Sequence, residues 1–333
     1  MKAIIPLAGK GTRLRPHTLD TPKPLIRVGG KPVMSYILDD LIELGVEEIV
    51  FVVGYLREVV EEFIGREYPQ IKAHYVVQEV QDGTAGAVRL AKPHVDEEVL
   101  ILFVDTLFDA DLSLAHNLPP DWAGVIWAKE VEDYQRFGVI VTGEDGSMTR
   151  IVEKPSEPVS RLANIGLYYI REWELLFEGI EDVVRGSAGP GGEYYLTDAF
   201  QYMVDKGARL KTAPVGGWYD CGKLDTLLET NHHLLQTTRG GISSEANLVD
   251  VTKEGALRIE AGASVRGASI GPNVTLERDV VVENAVLQNC IVGRGTTIRG
   301  CDLHDSMIGV DSRVEGMKGR VNVGGYTEIV GKR

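Results

Sequence analysis

Near its start the chain carries Ala3-Ile4-Ile5-Pro6-Leu7-Ala8-Gly9-Lys10-Gly11-Thr12-Arg13-Leu14-Arg15-Pro16 and soon reaches Pro22-Lys23-Pro24-Leu25. The apolar run Ala3 to Leu7 predicts a buried strand. The glycines after it predict a loop whose backbone N–H groups surround an anion, with cationic side chains beside them. Between Gly9 and Lys31 six basic residues (Lys10, Arg13, Arg15, Lys23, Arg27 and Lys31) face one acid, Asp20, in a chain of formal charge -14. Such a cluster predicts a polyphosphate ligand. It argues against nucleic acid, which needs an extended basic surface.

Outward from that loop, further apolar runs lie at Glu48 to Val53, His74 to Gln78, Val99 to Val104, Gly124 to Ala128 and Ile165 to Ile170. Helical patterns alternate with them, which predicts a largely parallel sheet flanked by helices over residues 1–239. A first helix is predicted from Val33 to Leu44, because Val33, Tyr36, Ile37, Leu41 and Leu44 recur at the helical period and Gly45 follows as a stop. Ligands of such sheets bind beyond the carboxyl ends of the strands. The glycine loop and Asp105 fall there.

A helical segment from Lys223 to about Gln236 ends at Arg239-Gly240-Gly241, and the composition then changes. Apolar residues recur six apart: Ile259 and Val265; Ile270, Leu276 and Val282; Val286, Val292 and Ile298; Ile308 and Val314. Such a repeat gives one short strand and one turn per face, so stacked coils bury a continuous apolar column. A small parallel β-helix is predicted over 240–333. Phase breaks from Val265 to Ile270 and from Ile298 to Ile308 mark irregular corners.

At 333 residues and 44% hydrophobic content the chain has ample material for about two domains. No apolar run is long enough to span a membrane, and the N-terminus enters a strand directly, so a cytoplasmic, membrane-free protein is expected. Cys221, Cys290 and Cys301 lack metal-ligand spacing, and an odd number favours buried free thiols. The loop fits neither standard nucleotide motif: Leu14 stands where a dinucleotide fingerprint needs glycine, and no Gly-Lys-Ser/Thr follows. Gly293-Arg294-Gly295-Thr296-Thr297 reads as a coil corner.

Residues 7–16 and 22–25 together resemble the sugar nucleotidyltransferase family, the nucleotide-sugar pyrophosphorylases. The resemblance continues through Gly30-Lys31-Pro32, Gln78 with Asp82-Gly83-Thr84-Ala85, Asp105, Phe137-Gly138-Val139, Glu153-Lys154-Pro155, Gly166-Leu167-Tyr168, Glu193 with Leu196-Thr197-Asp198, and Trp218-Tyr219-Asp220. It implies an α/β fold, a Rossmann-like mixed, mostly parallel sheet flanked by helices, with a nucleotidyltransferase catalytic domain at 1–239. The repeats at 240–333 resemble the left-handed parallel β-helix of the family's longer members. The reaction implied joins a nucleoside triphosphate to a sugar 1-phosphate and releases pyrophosphate.

In-line attack between two polyanions requires cations that relieve repulsion and stabilise the leaving pyrophosphate. An anomeric phosphate is already nucleophilic near neutral pH, so no general base is needed. By resemblance, Arg13 holds the β- and γ-phosphates and Lys23 sits near the attacked phosphorus. Leu7, Ala8, Gly9, Gly11, Thr12, Gln78 and Gly83 bind the nucleotide, while Gly138, Glu153, Lys154, Gly166 and Glu193 bind the sugar phosphate. Asp105 and Asp220 match the family's aspartates for Mg2+, an ion served by one or two carboxylates plus phosphate oxygens and water. Gln78 offers a donor and an acceptor to uracil or thymine.

Glucose 1-phosphate with dTTP or UTP is the substrate pair this suggests. Gly83-Thr84-Ala85-Gly86-Ala87 also resembles mannose 1-phosphate guanylyltransferases, so GTP stays open, as does a sugar-nucleotide-binding regulatory subunit. Acyl transfer, common among six-residue β-helices, has only His304 to draw on within the repeats. A homo-oligomer is expected because the end or flank of a β-helix invites pairing.

Overall fold

The computed structural model describes residues 1–331, the Pro190 side chain aside. By packing, the chain falls into two units: Met1–Gly9 with Ile37–Trp218, and Lys10–Tyr36 with the chain from Tyr219 onward.

In the first unit, nine strands of the described residues form one sheet. They are β1 (Lys2–Pro6), β2 (Glu48–Val53), β3 (Lys72–Val77), β4 (Val99–Leu102), β5 (Gly124–Glu130), β6 (Gly138–Thr142), β7 (Met148–Glu153), β8 (Leu162–Ile170) and β9 (Leu210–Pro214). Strands β3, β2, β1 and β4 lie side by side and run parallel. Strand β8 is antiparallel to β4, β5 and β6, β7 is antiparallel to β6, and β9 is parallel to β5. All strands except β7 and β8 therefore point the same way. Five of the predicted runs became strands with ends shifted by a few residues, and Glu48–Val53 has the predicted bounds; β6, β7 and β9 were not predicted.

Every residue of β1 and β4 is buried, which is why these strands read as unbroken apolar runs rather than alternating ones. Over one face pack the helices Trp173–Arg185 and Leu196–Asp205. The second presents Leu196, Ala199, Phe200 and Met203 at helical spacing, all within 2% of full burial. The predicted first helix spans Val33–Glu43, and Gly45 follows at φ +87°, a left-handed stop that suits glycine.

The second unit holds the repeats. Parallel strands stack in coils, with the column Leu248, Val265, Val282, Ile298, Val314 and Ile329 in register. Ile259, Val265, Ile270, Leu276, Val282, Val292, Ile298, Ile308 and Val314 all join the buried core. Val286 does not: it is an exposed hydrophobic residue, and Leu287 is buried in its place. The strand Val286–Val292 turns a corner at Asn289, φ +48°, and this shifts the inward phase by one residue.

Three hexapeptides per coil would need about 18 residues. The coils are shorter: the step is 17 residues from Leu257 to Val274, 16 from Val274 to Cys290 and 15 from Met307 to Asn322. Asn273, Asp279, Asn284, Asn289, Asp305 and Asp311 take positive φ at corners, where short polar side chains tolerate the left-handed region. Gly295 does the same at φ +68°, so Gly293–Thr297 is a coil corner. All three cysteines are buried free thiols.

Candidate active site

The parallel strands of the first unit deliver the expected nucleotide residues at one edge. Leu7–Gly9 follow β1, Gln78 follows β3 and Asp105 lies in a turn just beyond β4, all at carboxyl ends. The Leu7 N–H donates to the Val52 carbonyl at 2.9 Å and the Gln81 side-chain amide donates to the Ala8 carbonyl at 2.8 Å, so the start of the loop is held by one backbone and one side-chain bond. A Cβ on Gly54 would sit 2.8 Å from that same carbonyl, so only glycine allows the approach. Gly9 is exposed with open space around its Cα. Sequence reasoning missed Gln81.

Gln78 is buried, and its Nε2 donates to the Asp82 carboxylate at 3.1 Å and to the Gly83 carbonyl at a longer 3.4 Å. Gly83 has φ +110°, and a Cβ there would meet the Tyr194 carbonyl at 2.4 Å. Tyr194 in turn donates its N–H to the Asp82 carbonyl at 2.7 Å and accepts from Ala85. The Gln78–Gly83 turn is thus held against the segment that carries Glu193 and Tyr195.

The residues expected to take the sugar phosphate gather in the same unit. Gly138 pairs with Glu153 across β6 and β7, and a Cβ on Gly138 would lie 2.7 Å from the Glu153 carboxylate and 2.5 Å from Asn164. Asn164 donates to the Gly138 carbonyl at 2.9 Å and accepts from the Tyr168 hydroxyl. Thr197 donates to Glu153 at 3.1 Å, and Lys154 donates to the Tyr195 hydroxyl at 3.2 Å from a left-handed backbone at φ +44°. Gly166 takes φ +81° beside Phe103.

Burial pushes the Glu153 carboxyl above its usual range, against the pull of Thr197 and Lys154. Burial opposes the charge on Lys154, but Tyr195, Glu153 and Glu193 together hold its pKa above the ordinary value. Asn164, Tyr195 and Thr197 complete the set. Of these only Thr197 stood in a quoted motif, and none had an assigned role.

The second unit gathers the charges. Asp220 ends the strand Gly217–Asp220; its Oδ1 accepts the Gly222 N–H at 2.7 Å and its Oδ2 accepts from Thr226 at 3.1 Å. A Cβ on Gly222 would lie 2.8 Å from Asp220 Oδ1, 3.2 Å from Arg13 Nη2 and 3.6 Å from Lys23 Nζ. Arg13, Lys23 and Asp220 therefore converge around a residue with no side chain. Gly11, at φ +59°, packs on Lys23 and accepts from Thr18 at 2.8 Å. Thr12 and Arg13 are exposed in a single 3-10 turn.

Two of the six cations are engaged elsewhere. Arg27 bonds the buried Glu277 at 2.6 Å and the Gly30 carbonyl at 2.5 Å, and Lys31 lies 4.6 Å over the Tyr36 ring. The cationic cluster is thus smaller than its sequence count. Among the described residues no group of three or more His, Cys, Asp or Glu side chains forms a ready metal cage. No helix among them is long and apolar enough to cross a membrane.

The model of the family "Nucleotidyl transferase" matches residues 2–237. The UTP–glucose-1-phosphate uridylyltransferase AglF of Haloferax volcanii is 32% identical over 243 residues, 72% of this chain and 98% of that protein. The bifunctional protein GlmU of Methanococcus aeolicus is 35% identical over 80% of this chain, which spans 62% of GlmU. Agl11 of H. volcanii, a low-salt glycan biosynthesis nucleotidyltransferase, is 30% identical over 94% of both chains. A crystal structure of UDP-glucose pyrophosphorylase complexed with UDP-glucose shares the fold at TM-score 0.61 and 24% identity, over 70% of this chain and 97% of the other. The chain belongs to the nucleotidyl transferase family.

Proposed function

We propose that this enzyme transfers a uridylyl or thymidylyl group from UTP or dTTP to a sugar 1-phosphate, with glucose 1-phosphate as the acceptor. A phosphate oxygen of the sugar 1-phosphate forms a bond to the α-phosphorus, the α–β bridging bond breaks, and the electron pair leaves with pyrophosphate. The observation that carries this reading is the meeting of Arg13, Lys23 and Asp220 at Gly222. Arg13, with its planar fork, holds the β- and γ-phosphates, and Lys23 lends a point charge near the attacked phosphorus. Gly11 and Thr12 offer backbone to the phosphates, and Leu7, Ala8, Gly9 and Gly83 border the nucleoside. Gln78 faces the base. Gly138, Glu153, Lys154, Gly166 and Glu193 take the sugar phosphate.

The family works with a divalent metal, and Mg2+ is the ion proposed here. Asp105 and Asp220 are hard oxygen donors of the kind Mg2+ takes, and Asp220 is held by Gly222 and Thr226 with lone pairs left over. Bound there, the ion would offset phosphate charge. The enzyme is read as cytoplasmic, in keeping with its three free thiols. Exposed Tyr326 and Val330 on the last coil support self-association through the β-helix.

Pyrophosphate release measured across a matrix of UTP, dTTP, GTP and CTP against glucose, mannose and N-acetylglucosamine 1-phosphates tests the proposal. Turnover is expected with UTP or dTTP and glucose 1-phosphate. A strong preference for GTP with mannose 1-phosphate, or no turnover with any pair, would refute it.

A further inference from the structure

Gln78 is a carboxamide with two faces, and the structure commits one of them internally. Both groups around its nitrogen, the Asp82 carboxylate at 3.1 Å and the Gly83 carbonyl at 3.4 Å, accept hydrogen bonds and cannot donate. The opposite rotamer would set Oε1 against two acceptors, so the amide has one sense only. Its two N–H groups are spoken for, and no donor among the described residues engages its Oε1. The balanced donor and acceptor expected from sequence is therefore an acceptor alone.

From this we infer that Asp82 is a specificity-determining positioning residue: it locks Gln78 so that the nucleotide site demands an N–H from the base. The inference rests on the reading that Gln78 faces the base. Uracil and thymine present N3–H to that oxygen, whereas cytosine presents a bare N3 and would leave two acceptors opposed. A buried pair of that kind leaves two desolvated acceptors without a proton, enough to set a preference of about tenfold or more. Guanine also carries an N–H at its pairing edge, so the lock separates UTP from CTP and not UTP from GTP. Packing supports a fixed Asp82. A Cβ on Gly86 would fall 2.0 Å from its Oδ1, so the carboxylate lies directly over a residue that leaves room for it.

The test is kcat/KM for UTP and CTP, with equilibrium binding of both, in the intact enzyme and in Asp82→Asn. An asparagine can turn its NH2 to Gln78 Oε1, which frees the Gln78 nitrogen to meet cytosine N3. The CTP-to-UTP ratio is expected to rise about tenfold, mainly through KM and binding rather than kcat, a shift that a merely structural role would not produce. Asp82→Ala, which removes the carboxylate without adding atoms, serves if the amide variant folds poorly, and should move the ratio in the same direction. An unchanged ratio in folded variants would overturn the lock. Gln78→Leu separates the two ideas: if it weakens UTP binding while Asp82→Asn leaves the ratio alone, only the lock falls. If it leaves UTP binding untouched, Gln78 does not face the base and both fail.

Discussion

The two packing units hold their candidate residues in different ways. In the first unit three candidate side chains are each held by a named hydrogen bond: Gln78 by Asp82, Glu153 by Thr197, Lys154 by Tyr195. In the second, Asp220 is held by Gly222 and Thr226, whereas Arg13 beside it is exposed. The proposed roles account for the difference between these residues and Arg13. A base edge or a sugar hydroxyl is read by direction, so its reader is held still; a polyphosphate is met by net charge, for which nearness suffices.

Removing a charge in the second unit should therefore give the largest effect and should strike turnover. Arg13→Ala is expected to lower kcat by about 10²–10³-fold with thermal unfolding unchanged, since an exposed arginine contributes little to the fold. A steady-state assay beside a melting curve checks this, and an unchanged kcat would remove Arg13 from the chemistry and erase the contrast. A smaller effect belongs to the first unit. Burial raises the Glu153 pKa, so as pH falls through a window just above the ordinary carboxylate range the group takes up a proton and loses acceptor capacity. The KM for the sugar 1-phosphate should rise several-fold over that window, by about the loss of one charge-assisted hydrogen bond. Glu153→Gln should abolish this limb of the pH profile while kcat changes less. A KM insensitive to pH in the wild type would mean that Glu153 does not touch the sugar.

How much of this could be read in the sequence differs along the chain. Strands β1, β2 and β4 announced themselves because both of their faces are buried, which leaves unbroken runs such as Val99–Leu102. β7 is half-covered; Met148–Glu153 exposes Thr149 and Arg150 and gives no such run. In the repeats the period of six found the core column, but Asn289 at a left-handed corner moved the inward position from Val286 to Leu287, a slip that spacing cannot show. The residues expected at the site came from motif order. Their partners did not, because pairs such as Arg27 with Glu277 join positions 250 apart, and because the sense of an amide depends on what surrounds it.

The most direct test of the central claim is a crystal structure of the enzyme soaked with UTP. The uracil N3–H is expected within hydrogen-bond distance of Gln78 Oε1, with the Gln78 nitrogen still on Asp82 and the triphosphate on Arg13 and Lys23. A base bound away from Gln78, or a triphosphate that leaves Arg13 and Lys23 untouched, would contradict the account.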